Sequence, residues 1–131
     1  MDIRKFELSD YSTLVKWYIE WELPITPYSW LSEETYIVEN GDEPLCVGGV
    51  YQLDKAPFFW IESIASNRNS KKEDRKQAIK FLIKHLEAVA KNKGAEIIMG
   101  STPRDSLADT FKELGFNNAP EKYIHLGKKV D

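Results

Sequence analysis

Three strand-like segments, separated by two short turns, constrain the fold of this chain more than any other part of its sequence. The segments are Thr35–Glu39, Leu45–Leu53 and Phe58–Ala65, and they are rich in β-branched and aromatic residues. The connections read NGDEP and DKAP, and asparagine, glycine and proline in such positions are typical of tight turns. Since strands joined by connections this short pair in antiparallel fashion, we predict a three-stranded meander.

Helical and strand patterns surround the meander. An opening strand, Asp2–Glu7, precedes a helix that Ser9 is placed to cap. After a polar loop over 66–72 comes the strongest helical pattern of the chain, which Gly94 is placed to end. The apolar face of this long helix consists of Ile79, Leu82, Ile83, Leu86, Val89 and Ala90.

Two strands and one helix complete the pattern. Glu96–Met99 is a short strand, Asp105–Leu114 is an amphipathic helix that Gly115 ends, and Tyr123–Leu126 is a last strand. We therefore predict a single α/β domain over residues 1–131, of the α+β type. The element order implies a mixed, mostly antiparallel central sheet that turns parallel in its middle, with helices on both faces.

Charge is unevenly distributed along the chain. The net charge is −3 at pH 7, yet residues 68–93 hold nine basic and three acidic side chains. Such a segment is either the solvated face of a helix or a contact for an anionic partner such as a cofactor phosphate. Because the whole chain is acidic, with a pI near 5.5, and Phe81 is the only aromatic residue in the basic segment, we do not expect nucleic-acid binding.

The sequence also argues against several classes of protein. No apolar stretch reaches the roughly 20 residues of a membrane span, and the opening MDIRKFELSD lacks the apolar region of a signal peptide. We therefore expect a cytoplasmic location, or a virion if the chain is phage-encoded. Cys46, the single cysteine, lies in an apolar run, which predicts a core residue. His85 and His125 have no cysteine or carboxylate at ligand spacing, so we expect no metal site.

Three stretches carry a resemblance to a known family. They are Tyr36–Gly41 followed by Pro44–Gly49, then the helix end Ala90–Ala95 with the strand at Ile97, and finally Thr110–Phe116. The element order and these stretches together resemble the GNAT N-acetyltransferase superfamily, and the last stretch is the most specific of the three. The resemblance covers nearly the whole chain, and it implies that the fourth and fifth strands splay apart.

In that family acetyl-CoA lies between the splayed strands, and a glycine-containing loop at the start of the long helix holds its diphosphate through backbone N–H groups. The resemblance places that loop at Asp74–Ile79, but no glycine occurs from Ser66 to Lys93. Basic side chains would have to replace the backbone cradle, as in the similar lysine-rich loops of short GNAT-like proteins of tailed phages. The cofactor-binding residues that the resemblance implies are Ile64, Ala65, Lys72, Arg75, Lys76, Gln77 and Ala78.

The catalytic positions of the family are only partly retained. Phe111 aligns with its usual general acid, a tyrosine, and has no proton to donate to a leaving thiolate. Arg104 aligns with an asparagine of the family. Glu62, in the fourth strand, stands where a general base commonly lies in such enzymes. Either Glu62 has a raised pKa suited to accepting an amine proton, or it points to solvent from a half-buried strand.

Aromatic residues are concentrated near the first helix and the loop after it. Trp17, Trp21, Tyr28 and Trp30 lie within fifteen residues, together with Tyr18. These side chains either line a substrate pocket or protein contact, or cover the sheet as core. We expect at least one of the tryptophans to be partly exposed.

Two functions follow from these observations. The first is a divergent GNAT-fold domain without catalysis, serving as a binding or structural protein, phage-encoded or virion-associated, with a partner or a second copy at the tryptophan-rich face. The alternative is an acetyl-CoA-dependent N-acetyltransferase that acts on a primary amine. An open slot between the fourth and fifth strands, with free N–H groups before Ala78, would favour the enzyme. A slot filled by side chains such as Phe59, Met99 or Phe111 would favour the binding protein. A β-bulge near residues 56–66 is expected if the splayed cleft exists.

Overall fold

A computed structural model describes residues 1–102, 104–118 and 126–130. The five strands in this part of the chain are β1 (Asp2–Lys5), β2 (Thr35–Asn40), β3 (Glu43–Gln52), β4 (Phe58–Ser66) and β5 (Ile97–Gly100). The three α-helices are α1 (Tyr11–Glu20), α2 (Lys72–Asn92) and α3 (Asp105–Glu113). The last strand that the sequence predicts, Tyr123–Leu126, lies outside the described residues except for Leu126, which has no regular structure.

The strands form one sheet in the order β1-β2-β3-β4-β5. The pairs β1–β2, β2–β3 and β3–β4 are antiparallel, whereas β4 and β5 are parallel. This arrangement confirms the predicted α/β class and the mixed sheet. The parallel pair requires a crossover connection, which α2 provides.

A hydrophobic core lies on each face of the sheet. On one face α1 packs on the strands through Leu14, Trp17 and Tyr18. On the other face α2 and α3 pack on side chains that include Phe59 and Ile61. The helices therefore lie on both faces, as predicted. Cys46 is fully buried, which confirms its prediction as a core residue.

The start of α1 differs from its prediction. Ser9 lies within a single 3-10 turn, Leu8–Asp10, and α1 itself begins at Tyr11. Asp10 occupies the N-cap position of α1, and its carboxylate accepts a hydrogen bond from the Glu7 N–H at 2.8 Å. The same carboxylate pairs with Arg4 at 2.8 Å, so a charged residue fixes the turn in place of the expected serine.

Candidate functional site

A β-bulge interrupts β4 beside its neighbour β3. Val47 pairs with Ala65 and Gly49 pairs with Glu62, so two residues of β4 lie opposite one residue of β3. Ser63, inside the bulge, has a φ of 62°, a left-handed conformation that is unusual for a residue other than glycine. The bulge lies within residues 56–66, where a bulge is expected if the fourth and fifth strands splay apart.

Among the described residues, no strand pairs with the second half of β4 on its β5 side. β5 pairs with β4 only from Phe58 to Ile61, whereas β4 continues to Ser66. The two parallel strands therefore separate, as the predicted splay requires. Ile64 and Ala65, two of the predicted cofactor-binding residues, lie in this open half of β4.

A cavity of about 370 Å³ lies at the end of β4, between α2 and α3. β4, α2 and α3 bound it, together with Trp21 from the end of α1. Four cationic side chains and two carboxylates line it, so their net charge is +2. The charged residues are Lys72, Arg75, Lys76, Arg104, Asp109 and Glu113. Because Glu113 pairs with Lys76 at 3.3 Å and with Lys80 at 2.5 Å, it does not neutralise the arginines.

The indole of Trp21 lies against this cavity. Its Nε1–H donates a hydrogen bond of 2.8 Å to the carbonyl oxygen of Ser66, the last residue of β4. Three guanidinium groups lie near its ring, those of Arg104, Arg68 and Arg75, at 4.6, 5.1 and 5.9 Å from the ring centroid. Trp21 is thus a shared aromatic platform for three cations.

The helix N-terminus that faces the cavity differs from the predicted phosphate loop. α2 begins at Lys72, and Asp74–Ile79 forms its first turns rather than a loop. Gln77 is exposed and Ala78 is fully buried. Neither lines the cavity, and residues inside a helix donate their N–H groups to its own carbonyls. The cavity lining therefore gives no support for these two residues as cofactor ligands, and their assignment stays a prediction.

The uncapped start of α2 supplies other donors. Lys71 occupies the N-cap position, and no side chain caps the helix there. The N–H groups of Lys72, Glu73 and Asp74 consequently have no partner inside the helix. The helix dipole favours an anion at this end, although the carboxylates of Glu73 and Asp74 oppose it. Lys72 and Lys76 line the cavity, as the cofactor prediction requires.

Arg75 braces the connection between β4 and α2. One of its guanidinium nitrogens donates to the carbonyls of Asn67, Arg68 and Ser70, at 3.3, 3.2 and 3.1 Å. A loop without glycine is in this way held by a side chain of the helix that follows it. Arg75 also lines the cavity, so it combines a structural role with a positive charge at the site.

Glu62 lies at the boundary between the paired and the open halves of β4. It pairs with Gly49, and the alternation along β4 places it on the face opposite Phe59 and Ile61. Burial raises the pKa of Glu62, and contacts with Trp60 and the backbone of Ser63 offset part of the rise. Glu62 is half-buried and does not line the cavity beside Trp21, so its role as a general base stays a prediction.

Phe111 lies in α3 and does not line the cavity beside Trp21. It is 5% exposed, and its ring packs in the hydrophobic core on the face of the sheet that α2 and α3 cover. A Cβ atom added to Gly100 would lie 2.6 Å from its ring, so the ring fills the space beside the end of β5. Its neighbour Phe116 packs edge-on at 5.0 Å between ring centroids. No proton donor stands at this position.

The four aromatic residues predicted for a substrate or partner surface separate into three groups. Trp17 is 2% exposed and belongs to the core below α1, so it is not available at a surface. Trp21 lines the cavity. Tyr28 is 41% exposed and Trp30 is 70% exposed, which confirms that at least one tryptophan is accessible.

Two residues of the site were missed by the sequence analysis. Ser66 was read only as the start of a polar loop, and Arg104 only as the replacement of an asparagine. Ser66 is the last residue of β4, and Arg104 follows β5, so both lie at the carboxyl ends of the two parallel strands. Ligands of open α/β sheets bind outside such ends, which is the signal that would have identified both residues.

A second cavity, of about 540 Å³, lies between β5, the end of α2 and α3. Its charged lining residues are Glu87, Lys91, Glu96 and Lys112, whose charges cancel. Phe111 and Phe116 supply much of its apolar lining. Without a net charge this cavity does not favour an anion, so the cleft beside Trp21 is the stronger candidate.

The described residues hold no group of three or more histidine, cysteine, aspartate or glutamate side chains placed to bind a metal ion. None of the helices in the described part of the chain is both long enough and apolar enough to cross a membrane.

Comparison with solved structures identifies the fold. The chain is similar to a probable acetyltransferase, with 17% identity over 100% of this chain and 99% of that chain and a TM-score of 0.74. It is also similar to a Mycobacterium tuberculosis protein solved in complex with CoA, with 14% identity, 93% and 76% coverage and a TM-score of 0.71. An aminoglycoside 6'-N-acetyltransferase from Acinetobacter haemolyticus matches at 14% identity, 100% of both chains and a TM-score of 0.67.

The chain therefore has the GNAT fold, as predicted. No family model matches it, and none of the curated proteins matches its sequence. At identities this low the likeness establishes the fold alone.

Proposed function

We propose that the cleft between β4 and α3 binds a CoA thioester and that the protein transfers the acyl group to a primary amine. The observation that carries the proposal is the opening beside the second half of β4, which combines a bulge, an uncapped helix N-terminus and a positively charged cavity. A structure neighbour solved with CoA shows that the fold is compatible with this ligand.

The residues of the cleft fit the chemistry of the cofactor. A diphosphate is anionic, and Lys72, Lys76 and the free N–H groups at the start of α2 are suited to bind it. The open edge of β4 offers backbone groups of Ile64 and Ala65 to the amides of a pantetheine arm. When bound, the thioester supplies an acyl group activated for attack by an amine.

Glu62 is the group that would accept a proton from the amine. A primary amine is mostly protonated at neutral pH and must lose a proton in order to attack. Burial raises the pKa of Glu62, so its carboxylate is a better proton acceptor than an exposed glutamate. Glu62 accepts the proton, directly or through water, as the new C–N bond forms and the C–S bond breaks. Because Phe111 has no proton to give, the departing thiolate leaves unprotonated or takes a proton from water.

Calorimetric titration with acetyl-CoA at modest ionic strength tests the binding step. We expect a Kd of about 10 μM, weakened severalfold by Lys72→Gln or Lys76→Gln, since each removes a cation from the cavity. Absence of binding at millimolar acetyl-CoA would contradict the proposal.

Release of free thiol from acetyl-CoA in the presence of a panel of primary amines tests the transfer. We expect Glu62→Gln to lower kcat by about 100-fold or more while leaving the Kd for acetyl-CoA unchanged. Glu43→Gln is the matched control, because Glu43 is an exposed strand glutamate away from the cleft. Equal loss in the two variants would remove Glu62 from the mechanism.

A second candidate is a binding or structural domain without catalysis. It is favoured by the missing proton donor at Phe111 and by the exposed Trp30, which suits a protein partner or a second copy of the chain. If acetyl-CoA binds but no amine in the panel releases thiol, this candidate is preferred. Sedimentation of the wild type and of Trp30→Ser would then show whether Trp30 mediates self-association.

A further inference from the structure

A polar side chain stands on each side of the point where β4 and β5 separate. The last residues that pair are Ile61 and Gly100, so Glu62 and Ser101 are the next residues of the two chain segments. Matched residues of parallel strands lie side by side, and Glu62 and Ser101 therefore begin the gap opposite each other. Glu62 is half-buried, whereas Ser101 is exposed and accessible to a ligand.

The indole of Trp60 connects these two side chains. Its Nε1–H donates a hydrogen bond of 3.0 Å to the Oγ of Ser101. Burial raises the pKa of Glu62, and a hydrogen bond from the Trp60 side chain offsets part of that rise. Because an indole has a single polar hydrogen, the same N–H is directed at both residues. Trp60 and Glu62 are two residues apart in β4, so all three side chains lie on one face of the sheet.

The Ser101 hydroxyl still has a hydrogen to donate. A serine hydroxyl is one donor as well as an acceptor, and the bond from Trp60 uses it as an acceptor only. Among the described residues its own O–H donates to no other group. The bond from Trp60 restricts the position of the oxygen and leaves the O–H available at the mouth of the gap.

Acyl transfer from a thioester requires two kinds of group. The amine nitrogen must lose a proton, and the sulfur must receive the electron pair of the C–S bond as it breaks. Nucleophile and leaving group occupy different positions on one tetrahedral carbon, so the groups that serve them must stand on separate sides of it. Glu62 on β4 and Ser101 beyond β5 meet this condition, whereas Phe111 has no donor to offer.

We propose that Ser101 is a catalytic residue that donates a hydrogen bond to the departing sulfur, and that Trp60 is its positioning residue. This inference rests on the proposed function, and it adds a donor on the leaving-group side of the reaction.

The protons and electron pairs of the step balance. The amine nitrogen attacks the carbonyl carbon and gives its proton to Glu62, and the C–S bond breaks with its electron pair on sulfur. Ser101 stabilises the thiolate without losing its own proton, because a serine hydroxyl is a weaker acid than a thiol. Glu62 then releases its proton to solvent and the thiolate takes one from solvent, which leaves an amide and a free thiol.

Steady-state kinetics of thiol release from acetyl-CoA, with the amine that the wild type uses best, test the role of Ser101. We expect Ser101→Ala to lower kcat about 30-fold, because a hydrogen bond to a developing charge is lost, and to leave the Kd for acetyl-CoA unchanged. Ser101→Thr keeps the hydroxyl and should retain most of the activity. Ser12→Ala is the control, because Ser12 is an exposed serine in the first turn of α1; it should leave kcat unchanged.

Trp60→Phe tests the positioning role, because it removes the indole N–H and keeps an aromatic ring. If Trp60 acts through Ser101, the two substitutions are not additive, and Trp60→Phe should lower kcat little further in the Ser101→Ala background. Trp60→Phe should also move the acidic limb of the kcat profile to higher pH, because the Glu62 carboxylate loses a hydrogen bond that lowers its pKa. Ser101→Ala, which keeps the indole, should not move that limb upward.

The outcomes separate this inference from the proposed function. Thiol release that is equal in the wild type and Ser101→Ala would reject Ser101 and leave the proposed function standing. A wild type that releases no thiol with any amine would overturn both. Equal losses in Ser101→Ala and Ser101→Thr would show that the hydroxyl is not the group that matters. If circular dichroism shows that Trp60→Phe is unfolded, the Ser101 variants decide.

Discussion

The two halves of β4 differ in what holds them. Phe58–Ile61 is paired with β3 on one edge and with β5 on the other, and Phe59 and Ile61 are buried in the core below α2. Glu62–Ser66 contains the bulge and, within the part of the chain that the structure describes, pairs on its β3 edge only. The first half is fixed by packing, whereas the second half contains groups that are unfavourable for stability.

This difference has a physical cause. An unpaired strand edge, a left-handed serine and a buried hydroxyl without a partner each cost free energy. They persist because the adjoining core determines the position of the strand. Functional groups at the end of a well-packed strand are thus held in place by residues that do not touch the ligand.

Replacement of a core residue in the paired half should have the largest effect on stability. Ile61 is fully buried, so Ile61→Ala should lower the free energy of unfolding by about 3 kcal/mol. Ser66→Ala, at an equally buried position of the open half, should change it little or raise it by up to about 1 kcal/mol, because it removes an unpaired hydroxyl. Urea denaturation measures the free energy of unfolding of both variants. A larger loss for Ser66→Ala than for Ile61→Ala would contradict the difference between the two halves of β4.

The bulge should respond to substitution in the opposite sense from an ordinary strand position. At Ser63, with its positive φ, valine should cost about 2 kcal/mol and glycine should be neutral or stabilising by up to about 1 kcal/mol. At Asp2, an exposed position of β1, valine should be at least as good as glycine. Thermal unfolding of the four variants shows whether valine or glycine gives the more stable protein at each position. The same order at both positions would show that the bulge is not strained.

The sequence predicted the parts of the molecule that depend on local pattern. The meander, α2 and the glycine-ended α3 follow from alternation, helical spacing and the positive φ of Gly94 and Gly115. The residues of the site were harder to predict because they meet only in three dimensions. Trp21, Ser66 and Arg104 lie on separate elements, and nothing in the local sequence of any of them indicates the others.

Errors in the sequence analysis also have identifiable causes. The resemblance places a phosphate loop at Asp74–Ile79, but this segment contains no glycine that would interrupt the helical pattern, and it forms the first turns of α2. Trp17 and Trp21 contact the same core cluster beside α1, but Trp17 is buried in it, whereas Trp21 is only partly buried and lines the cavity. Helical spacing alone does not decide which of two neighbouring stripes faces the sheet.

The smallest expected effect is the pH dependence of stability at two glutamates in opposite situations. Burial raises the pKa of Glu62 in the folded state. Its contribution to stability is therefore present below its unfolded pKa and is lost as the pH rises through the folded pKa. For Glu34, burial works to raise the pKa, but hydrogen bonds from Tyr36 and Lys5 outweigh it and lower the pKa. Its contribution is present above the unfolded pKa and is lost as the pH falls through the folded pKa.

Glu62→Gln and Glu34→Gln should therefore change the pH profile in opposite directions. Relative to wild type, Glu62→Gln should gain stability as the pH rises from 4 to 7, because glutamine removes the cost of burying a charge. Glu34→Gln should lose stability relative to wild type as the pH rises from about 3 to 5, because the wild type gains its ion pair with Lys5, at 3.1 Å, as Glu34 ionises. Urea denaturation at a series of pH values measures both differences. If Glu62→Gln showed no gain, the carboxylate would be as well solvated as one on the surface, and the open half of β4 would lose its candidate base.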